Sequence, residues 1–434
     1  GFTVDYVDLF TVKTLEKLAQ KLSGSAAPSS SGFAPAADAV LNAVLADNDL
    51  PHFLAGARLA PCTVLLTGAT GYLGAHLLHE LLAREDTAVC CLLKQHENES
   101  AQSRLLAKMY YYFEIDYAPL LGSRLFVIPG DVTADGWFDE ARLHRPDTVL
   151  NCAAVVKHFS SGSDIEDVNA GGIRNLIRFC QEDGRLLVQV STVSVAGDSV
   201  GAVPPPDTRM SEQTLYIGQN IENQYVHSKY TAERALLSAV QNGLRCKIMR
   251  VGNLSARDSD GEFQINAHSN SFANRLRAYL IAGCFPYSLI DRPVAFSPVD
   301  YVAHAILTLC QTPDCCRVFH PVNSHTVPFG DIVLCMRACG MEVPFVEDDA
   351  FTAAIHAAED DQEKAQALTG LLAYETSKNI AVEALKTDNE YTQQVLCRLG
   401  FSWKPITDRY IEQFLRALET LGFFDGTGPT VKEE

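Results

Sequence analysis

The chain has 434 residues, of which 47% are hydrophobic and 20% are charged, and its formal net charge is −18. This composition is typical of a globular protein of about two to three domains. It argues against a nucleic-acid partner, and no apolar run reaches the roughly 18 residues of a membrane span. The 13 cysteines include no C-x-x-C pair. They therefore predict neither a zinc site nor a disulfide framework, and they indicate a reducing cytoplasm.

The beginning of the chain divides into a helix and a linker. Residues 1–22 end in an amphipathic helix that starts near Thr14. Residues 23–37 are rich in Ser, Ala, Pro and Gly, which is typical of a flexible linker. We therefore expect the opening helix to belong to a different body from the rest of the chain, and residues 38–60 to form a short helical lead-in.

From residue 61 onward, short apolar runs alternate with helical patterns. Continuous apolar runs are typical of parallel strands covered on both faces. The predicted strands are Thr63–Thr67, Ala88–Leu93, Arg124–Pro129, Thr148–Cys152, Leu186–Ser191 and Cys246–Val251. The predicted helices are 72–84, 100–112, 164–182 and 224–242. This α/β pattern predicts a doubly wound, Rossmann-like parallel sheet, whose ligands bind at the carboxyl ends of the strands.

The regular alternation stops after the sixth predicted strand. We expect residues 38–255 to form the Rossmann-like domain, with residues 296–320 returning to it as a helix. Residues 256–295 and 321–434 are predicted to form a smaller, mainly helical domain over the sheet.

A glycine-rich turn, TGATGYLG, follows the first predicted strand. Gly68 permits the tight turn, Gly71 lets the backbone approach a pyrophosphate, and Gly74 lets the helix pack closely on the sheet. The N–H groups at the helix N-terminus would bind that pyrophosphate. The spacing differs from G-x-G-x-x-G, so an ordinary strand–loop–helix turn stays open. The residues expected to contact the ligand are Thr67, Gly68, Thr70, Gly71, Tyr72, Leu73 and Gly74.

Two further groups of residues carry the predicted chemistry. Tyr225 and Lys229 stand at i and i+4 of a predicted helix, so both side chains project from one face. A nearby ammonium lowers a tyrosine pKa from about 10, which suits a proton donor to an alkoxide. The hydroxyls of 190–197 lie at a strand end, where one could bond a carbonyl oxygen. Alone, each group could also be a chance surface pair or a strand end capping its own backbone.

The segments TGATGYLG, STVSVAG and YVHSK, in this order, resemble the extended short-chain dehydrogenase/reductase family. The resemblance implies that the glycine turn binds NAD(P) and that a Ser/Thr–Tyr–Lys triad performs hydride transfer. Aligned on the glycine that ends the second motif, the catalytic hydroxyl falls on Thr192, between Ser191 and Ser194. Tyr225 would be the proton donor. Lys229 would hold the nicotinamide ribose and lower the pKa of that tyrosine.

Other segments extend the resemblance. The run Gly-Asp-Val at 130–132 resembles the adenine-contacting segment, and Asn-Cys-Ala-Ala at 151–154 resembles the family's N-A-A-A, with Cys152 as a departure. The run Arg-Val-Gly-Asn-Leu at 250–254 resembles the segment beside the nicotinamide, and Asn169 falls where the family often has an active-site Asn. The cofactor contacts so implied are Asp131, Val132, Asn151, Ala153, Ala154, Asn169, Gly252 and Asn253.

The end of the second predicted strand bears on the choice of cofactor. NAD enzymes usually carry a carboxylate there, whereas this strand ends at Lys94. Lys94 and Arg104 could pair with the 2′-phosphate of NADPH, as in the family's NADP-binding members. Glu97 and Glu99 are a counterargument, and two ordinary surface cations stay an alternative.

A closer resemblance is to thioester reductase domains, which terminate nonribosomal peptide and polyketide synthetases and occur in carboxylic acid reductases. It rests on the 33 positions from Thr192 to Tyr225, the motif K-Q-x-x-x-x-S-A-x-x-R-L at 94–105, and the C-terminal portion. Residues 1–22 resemble the last helix of a carrier (thiolation) domain without its G-G-x-S site. The resemblance implies an upstream carrier domain that delivers a phosphopantetheine-bound thioester.

The expected activity is therefore the NADPH-dependent release of a carrier-bound acyl or peptidyl thioester as an aldehyde, with reduction to the alcohol left open. We expect a monomeric excised domain with neither nucleic-acid nor membrane partners. The alternatives are a sugar-nucleotide epimerase or dehydratase, a soluble carbonyl reductase, a non-catalytic NADP-sensing regulator and a redox-inactive terminal cyclase. Tyr225 and Lys229 argue against the regulator, which typically loses this pair, and Tyr225 argues against the cyclase.

Overall fold

The computed structural model describes residues 41–42, 44–45, 60–96, 98–153, 171–200, 203–205, 207–221, 223–357, 368 and 382–425. The predicted carrier tail, the linker, most of the helical lead-in, Glu97, Ala154 and Asn169 lie outside the described residues. Among the described residues, no helix is both long and apolar enough to cross a membrane.

Seven parallel strands of the described chain form one sheet, in the order β7-β6-β5-β4-β1-β2-β3. They are β1 (Thr63–Thr67), β2 (Ala88–Leu93), β3 (Leu125–Pro129), β4 (Thr148–Asn151), β5 (Leu186–Thr192), β6 (Arg245–Val251) and β7 (Val318–Phe319). The strand order reverses between β1 and β4, so a crevice opens at the carboxyl ends of these two strands. The predicted doubly wound α/β sheet is confirmed.

Helices cover both faces of the sheet, which explains why the strands are apolar throughout. The helices are α1 (Tyr72–Leu82), α2 (Ala101–Phe113), α3 (Phe138–Leu143), α4 (Gly172–Asp183), α5 (Gln224–Val240), α6 (Ser271–Ala282), α7 (Val299–Leu309), α8 (Phe329–Ala338), α9 (Asp348–Ala357), α10 (Glu390–Arg398) and α11 (Asp408–Thr420). Val64 and Leu66 pack with α1, α2 and α7, whereas Leu65 packs with α3, α4 and α5. Successive residues of a strand thus enter opposite cores.

The six predicted strands all exist, and each observed end lies within one residue of its predicted position. The predicted helices 72–84, 100–112 and 224–242 correspond to α1, α2 and α5, and the helix returning in 296–320 is α7. Strand β7 was not predicted, because a strand of two residues, Val318 and Phe319, is too short to show a periodic pattern. It extends the sheet by pairing with Ile248 and Met249 of β6.

A second hydrophobic core lies outside the sheet. Helices α6, α8, α9 and α11 build it around fully buried aromatic side chains such as Phe285 and Phe414. Helix α10 does not join this core. Its Val395 and Leu396, with the nearby Trp403, pack into the core that contains α1 and α7.

Short strand pairs connect the later chain to the sheet. Val382–Ala384 runs antiparallel to Asp198–Val200, and Lys386–Thr387 runs parallel to Arg209–Met210. The C-terminal part of the chain thereby lies against the segment that follows β5. The remaining pairs are Leu254–Ser255 with Ser297–Pro298, Phe285–Pro286 with Phe345–Val346, and Pro293–Ala295 with Thr326–Pro328.

Candidate active site

The glycine turn between β1 and α1 has no room for side chains at two of its three glycines. Gly68 has a φ of +72°, and a Cβ added there would lie 2.7 Å from the backbone nitrogen of Ala153. A Cβ on Gly74 would lie 2.0 Å from the carbonyl oxygen of Gly68. Helix α1 makes its first backbone bond from Ala75 to Gly71, at 2.9 Å. Because the N–H groups before that bond have no intrahelical partner, the turn is a cradle that fits a pyrophosphate.

Hydrogen bonds between buried polar side chains connect the ends of β1, β4 and β5. The hydroxyl of Thr67 donates to the side-chain oxygen of Asn151. The Asn151 amide nitrogen donates to Gln189 at 2.7 Å, and the backbone N–H of Ala153 donates to the Thr67 hydroxyl at 3.2 Å. The predicted site residues Thr67, Asn151 and Ala153 are thus brought together beside the glycine turn.

Three predicted cofactor residues turn their side chains away from the crevice. Leu73 and Val132 are buried in the two cores of the sheet. The hydroxyl of Tyr72 donates to the carbonyl oxygens of Ser255 at 3.1 Å and Glu262 at 2.9 Å. These three positions therefore offer a ligand their backbone rather than their side chains, which the motif alone does not reveal.

The end of β2 carries a cluster of exposed charges. Lys94 Nζ lies 2.8 Å from Asp131 Oδ2, and Arg104 Nη2 donates to the Lys94 carbonyl oxygen at 2.5 Å. Burial alone would raise the pKa of Asp131, but bonds from Lys94 and Thr133 outweigh it and hold that pKa below its usual value. Arg104 Nη1 is buried and has no hydrogen-bond partner among the described residues. The structure thus brings the predicted Lys94, Arg104 and Asp131 together.

At the end of β5, consecutive hydroxyls point in opposite directions because side chains alternate along a strand. Ser191 donates to Glu233 Oε1 at 2.5 Å, inside the protein. Thr192 lies close enough to Tyr225 to lower the pKa of its phenol, and its hydroxyl donates to the Ser194 hydroxyl at 3.1 Å. Of the hydroxyls in this motif, Thr192 is therefore the one that meets the predicted proton donor.

The start of α5 fixes the position of Tyr225. Asn223 caps the helix, and its side-chain oxygen accepts from the N–H groups of Tyr225 at 3.0 Å and Val226 at 3.2 Å. One turn further, Lys229 is buried, and its Nζ donates to the carbonyl oxygen of Val190 at 3.2 Å. The tyrosine and the lysine thus both face the end of β5, as the i, i+4 spacing predicts.

The pKa values of these groups correct one expectation. Burial raises the pKa of Tyr225 to about 12, although its hydrogen bond with Thr192 opposes the rise. Burial also lowers the pKa of Lys229 to about 8, against the opposing effects of Cys152 and Glu233. The predicted net lowering of the Tyr225 pKa is wrong for this structure, because the cost of burying a phenolate dominates.

The predicted residues after β6 lie at the same edge of the sheet. Thr192 pairs with Val251 in the register of β5 and β6, so Gly252 and Asn253 follow directly beside the hydroxyls at the end of β5. The backbone N–H of Ser297 donates to the Asn253 carbonyl oxygen at 3.3 Å. This places the segment between the sheet and the start of α7.

Sequence reasoning missed the polar groups behind the site. Glu233 and Arg250 form a fully buried ion pair with an N–O distance of 2.8 Å, and Gln189 joins the strand ends through Asn151. A signal for Glu233 existed, because it stands one further helical turn beyond Lys229 on the same face.

The described residues of this site provide neither a set of metal ligands nor a reactive cysteine. The described residues contain no group of His, Cys, Asp or Glu that could hold a metal ion. Burial raises the pKa of Cys152 to about 12, despite the opposing charge of Lys229. The thiol is therefore neutral and unreactive near neutral pH.

Comparison with known proteins agrees with this geometry. The model of an NAD-binding family, described as "Male sterility protein", matches residues 66–306, which is more than half of the chain. The chain belongs to this family. It is similar to a solved thiolation-reductase di-domain from an archaeal non-ribosomal peptide synthetase, with a TM-score of 0.77 and 34% identity over 89% of this chain and 97% of that one. The predicted resemblance to terminal reductase domains is confirmed.

Curated relatives of the family are much longer proteins. The isonitrile lipopeptide synthase of Streptomyces coeruleorubidus is 29% identical over 62% of this chain and 18% of its own length. The carboxylic acid reductase of Mycobacterium tuberculosis is 30% identical over 61% of this chain and 24% of its own length. The chain thus spans less than a quarter of these two relatives. The family assignment supports NAD(P) binding and oxidoreductase chemistry.

Proposed function

We propose that the chain catalyses the NADPH-dependent reductive release of a carrier-bound acyl or peptidyl thioester as an aldehyde. The observation that carries this proposal is that Tyr225 and Lys229, one turn apart on α5, both meet the end of β5 where Thr192 lies. These groups line the carboxyl edge of the sheet, next to the glycine turn. Membership of a reductase family that acts beside thiolation domains supports the same conclusion.

When bound, NADPH supplies the hydride for the thioester carbonyl carbon. The Thr192 hydroxyl donates a hydrogen bond to the carbonyl oxygen, and Tyr225 transfers its proton to that oxygen as it becomes an alkoxide. Because the pKa of Tyr225 is raised to about 12, its phenol is fully protonated near neutral pH. The resulting hemithioacetal then loses the carrier thiol, the C–S bond breaks, and the aldehyde is released.

Lys229 has two roles in this proposal. Its ammonium holds the nicotinamide ribose, and its positive charge favours the phenolate that Tyr225 becomes after proton transfer. The ammonium already donates to the Val190 carbonyl oxygen, so it is anchored at the strand end where it is needed. Catalysis then uses no covalent nucleophile, which agrees with the buried, neutral thiol of Cys152.

The preference for NADPH rests on the charges at the end of β2. The unpartnered Nη1 of Arg104 and the exposed ammonium of Lys94 can both bond a 2′-phosphate. Asp131 would then exchange its ion pair with Lys94 for bonds to the ligand or to water. The remaining proposed contacts are the backbone of the glycine turn and the residues Asn151, Ala153, Ala154, Asn169, Gly252 and Asn253.

We further propose a role for each part of the chain. The sheet with α7 forms the NADP-binding domain, and the second core around Phe285 and Phe414 supports a unit that holds the acyl group and docks the carrier. Residues 1–22 belong to that upstream carrier. The excised chain is proposed to be monomeric and cytoplasmic, in keeping with the 13 cysteines, all of which are free thiols.

The test is turnover of a thioester by the purified chain. With NADPH and an octanoyl thioester on a phosphopantetheinylated carrier, we expect NADPH oxidation and an aldehyde that hydrazine reagents trap. Consumption of two NADPH per thioester, with octanol as the product, would extend the reaction to the alcohol. An absence of NADPH oxidation, together with tight binding of a nucleotide-sugar, would instead support the epimerase alternative.

A further inference from the structure

A buried ion pair lies directly behind the proposed catalytic group. Arg250 Nη2 donates to Glu233 Oε2 at 2.8 Å, and Arg250 Nε lies 3.0 and 3.2 Å from the two carboxylate oxygens. Both side chains are 0% exposed. A charge in such surroundings is costly unless it is paired and hydrogen-bonded, so the pair constrains the elements that carry it.

Those elements are the ones that bear the proposed catalytic side chains. Glu233 lies on α5, one helical turn beyond Lys229. Ser191, which precedes Thr192 on β5, donates its hydroxyl to Glu233 at 2.5 Å. Arg250 lies on β6 and pairs with Ser191 in the strand register. One carboxylate therefore joins the helix of the phenol to the strand of the hydroxyl.

We propose that Glu233, held by Arg250, is a positioning residue for the reduction: it fixes α5 against the end of β5 so that Tyr225 meets Thr192 and Lys229 stays at the end of that strand. The inference rests on the proposed reductase function and adds to it a residue that touches neither substrate nor cofactor. It also assigns Ser191 a role, as the link between the carboxylate and the catalytic strand.

The titratable groups around Lys229 come from two elements. Burial lowers the pKa of Lys229 to about 8, and Cys152 after β4 and Glu233 on α5 oppose that change. Burial raises the pKa values of Cys152 and Tyr225 to about 12, so both are neutral at pH 7. Glu233 is thus the anion among these neighbours. Removing its charge should lower the Lys229 pKa further.

The groups that face Arg250 do not replace this anion. His320 Nε2 lies 3.2 Å from Arg250 Nη1, and burial together with the guanidinium lowers the pKa of His320 to about 3. Burial raises the pKa of Glu212, against the opposing charge of Arg250, and its carboxylate accepts from the hydroxyl of Thr392 at 2.7 Å. Arg250 therefore depends on Glu233 for direct charge neutralisation.

The test compares variants that separate charge from packing. Glu233→Gln keeps the shape and removes the charge, Glu233→Asp keeps the charge, and Glu233→Gln/Arg250→Met removes both charges without leaving the guanidinium unpaired. Two quantities are measured. One is the pH dependence of kcat for NADPH oxidation with octanoyl-coenzyme A. The other is the pKa of Lys229 by NMR of protein carrying [ε-13C]lysine, with the signal assigned by its loss in Lys229→Arg.

We expect Glu233→Gln to lower the Lys229 pKa by roughly one unit and to move the alkaline limb of the kcat profile with it. The kcat near pH 7 should fall between about tenfold and a hundredfold, with the KM for NADPH unchanged, because the defect is one of orientation. Glu233→Asp should return the alkaline limb of the kcat profile to its wild-type position. The double variant should fold and keep the lowered kcat, whereas its Lys229 pKa should return toward the wild-type value because the unpaired guanidinium is gone as well.

Lys247→Met is the matched control, since Lys247 is also a fully buried cation on β6. Its Nζ donates instead to Thr312, Pro313 and Cys316, away from the site. This variant should lose thermal stability and leave the Lys229 pKa and the kcat profile unchanged.

An unchanged kcat in Glu233→Gln, or an unchanged Lys229 pKa in that variant, would overturn the inference, as would equal changes in Lys247→Met. If wild-type protein does not oxidise NADPH with octanoyl-coenzyme A or with the loaded carrier, the proposed function fails. The NMR titration still decides the inference in that case.

Discussion

Two charged clusters at one edge of the sheet are built in opposite ways. At the end of β2, the side chains of Lys94 and Asp131 are 54% and 35% exposed, and Arg104 retains an unpartnered nitrogen among the described residues. Between β5, β6 and α5, the Glu233–Arg250 pair is fully buried. Salt screens the first cluster and hardly affects the second.

The difference fits the role that we propose for each cluster. A cluster that captures an anionic cofactor and later releases it must keep donors that can change partners. A cluster that holds catalytic side chains works best when its bonds are satisfied within the protein, because a loose bond permits a second geometry. Substitutions in the buried cluster should therefore lower kcat, whereas substitutions in the exposed cluster should weaken cofactor affinity.

The largest effect is expected from Tyr225→Phe, which removes the proposed proton donor. We expect kcat to fall between about a hundredfold and ten-thousandfold, measured as NADPH oxidation with a thioester. NADPH binding, followed by fluorescence, should stay close to wild type. The control is Tyr287→Phe, since Tyr287 is 51% exposed and lies in the second unit. Near-normal turnover in Tyr225→Phe would refute the role given to this phenol.

The glycine turn lies between the two clusters. Its close packing should make it sensitive to any added side chain. Gly74→Ala places a methyl group 2.0 Å from the Gly68 carbonyl oxygen. We expect it to lower the free energy of unfolding by about 1–3 kcal/mol and to weaken NADPH binding, as measured by denaturant titration and fluorescence. Gly136→Ala is the matched control, because a Cβ there has nothing within 4 Å. Equal stability of the two variants would contradict the observed close approach.

The pH dependence of kcat/KM reports on the protonation of the buried Lys229. Burial lowers the pKa of Lys229 to about 8, so its ammonium is present below that pH and is lost above it. Because the charged form is the one that we propose to hold the ribose and favour the phenolate, kcat/KM should fall by about tenfold per pH unit above this value. Initial rates measured from about pH 6 to 10 test this. A rate that rises steadily across that range would show that the charged lysine is not required.

The smallest effect concerns cofactor choice at the exposed cluster. We expect Lys94→Ala and Arg104→Ala each to raise the KM for NADPH by about tenfold, the effect of one charge-assisted bond of about 1.5 kcal/mol. The KM for NADH should not change, and the difference should shrink at high salt. Arg178→Ala removes a comparably exposed ion pair, with Asp135 at 2.8 Å, and should leave both KM values unaltered. Equal effects on NADPH and NADH would exclude a contact with the 2′-phosphate.

Much of the nucleotide-binding half can be predicted from local sequence. Strands buried on both faces are continuous apolar runs, and the conformation of Gly68 requires a residue without a side chain, so both features are visible one segment at a time. The i, i+4 spacing of Tyr225 and Lys229 likewise fixes a shared helix face. These features need no knowledge of distant contacts.

The features that the sequence does not predict depend on contacts between elements that are distant along the chain. Glu233 and Arg250 are separated by a helix end, a turn and a strand, and nothing in either segment indicates that they form one buried pair. The sequence predicts the pKa of Tyr225 from its neighbour Lys229 alone, whereas burial by the whole fold decides it. The helical periodicity of Val395 and Leu396 predicts an apolar face without saying which core receives it.

The strand pairs formed by residues 382–387 bear on how the molecule is made. They lie against the segment that follows β5, and His320 and Glu212 then contact Asp388 and Thr392 just beyond them. A chain synthesised from its N-terminus can complete the glycine turn early. The surroundings of the proposed catalytic hydroxyl are completed only once residues 382–392 have emerged from the ribosome, so nascent chains that have not reached them lack the finished centre.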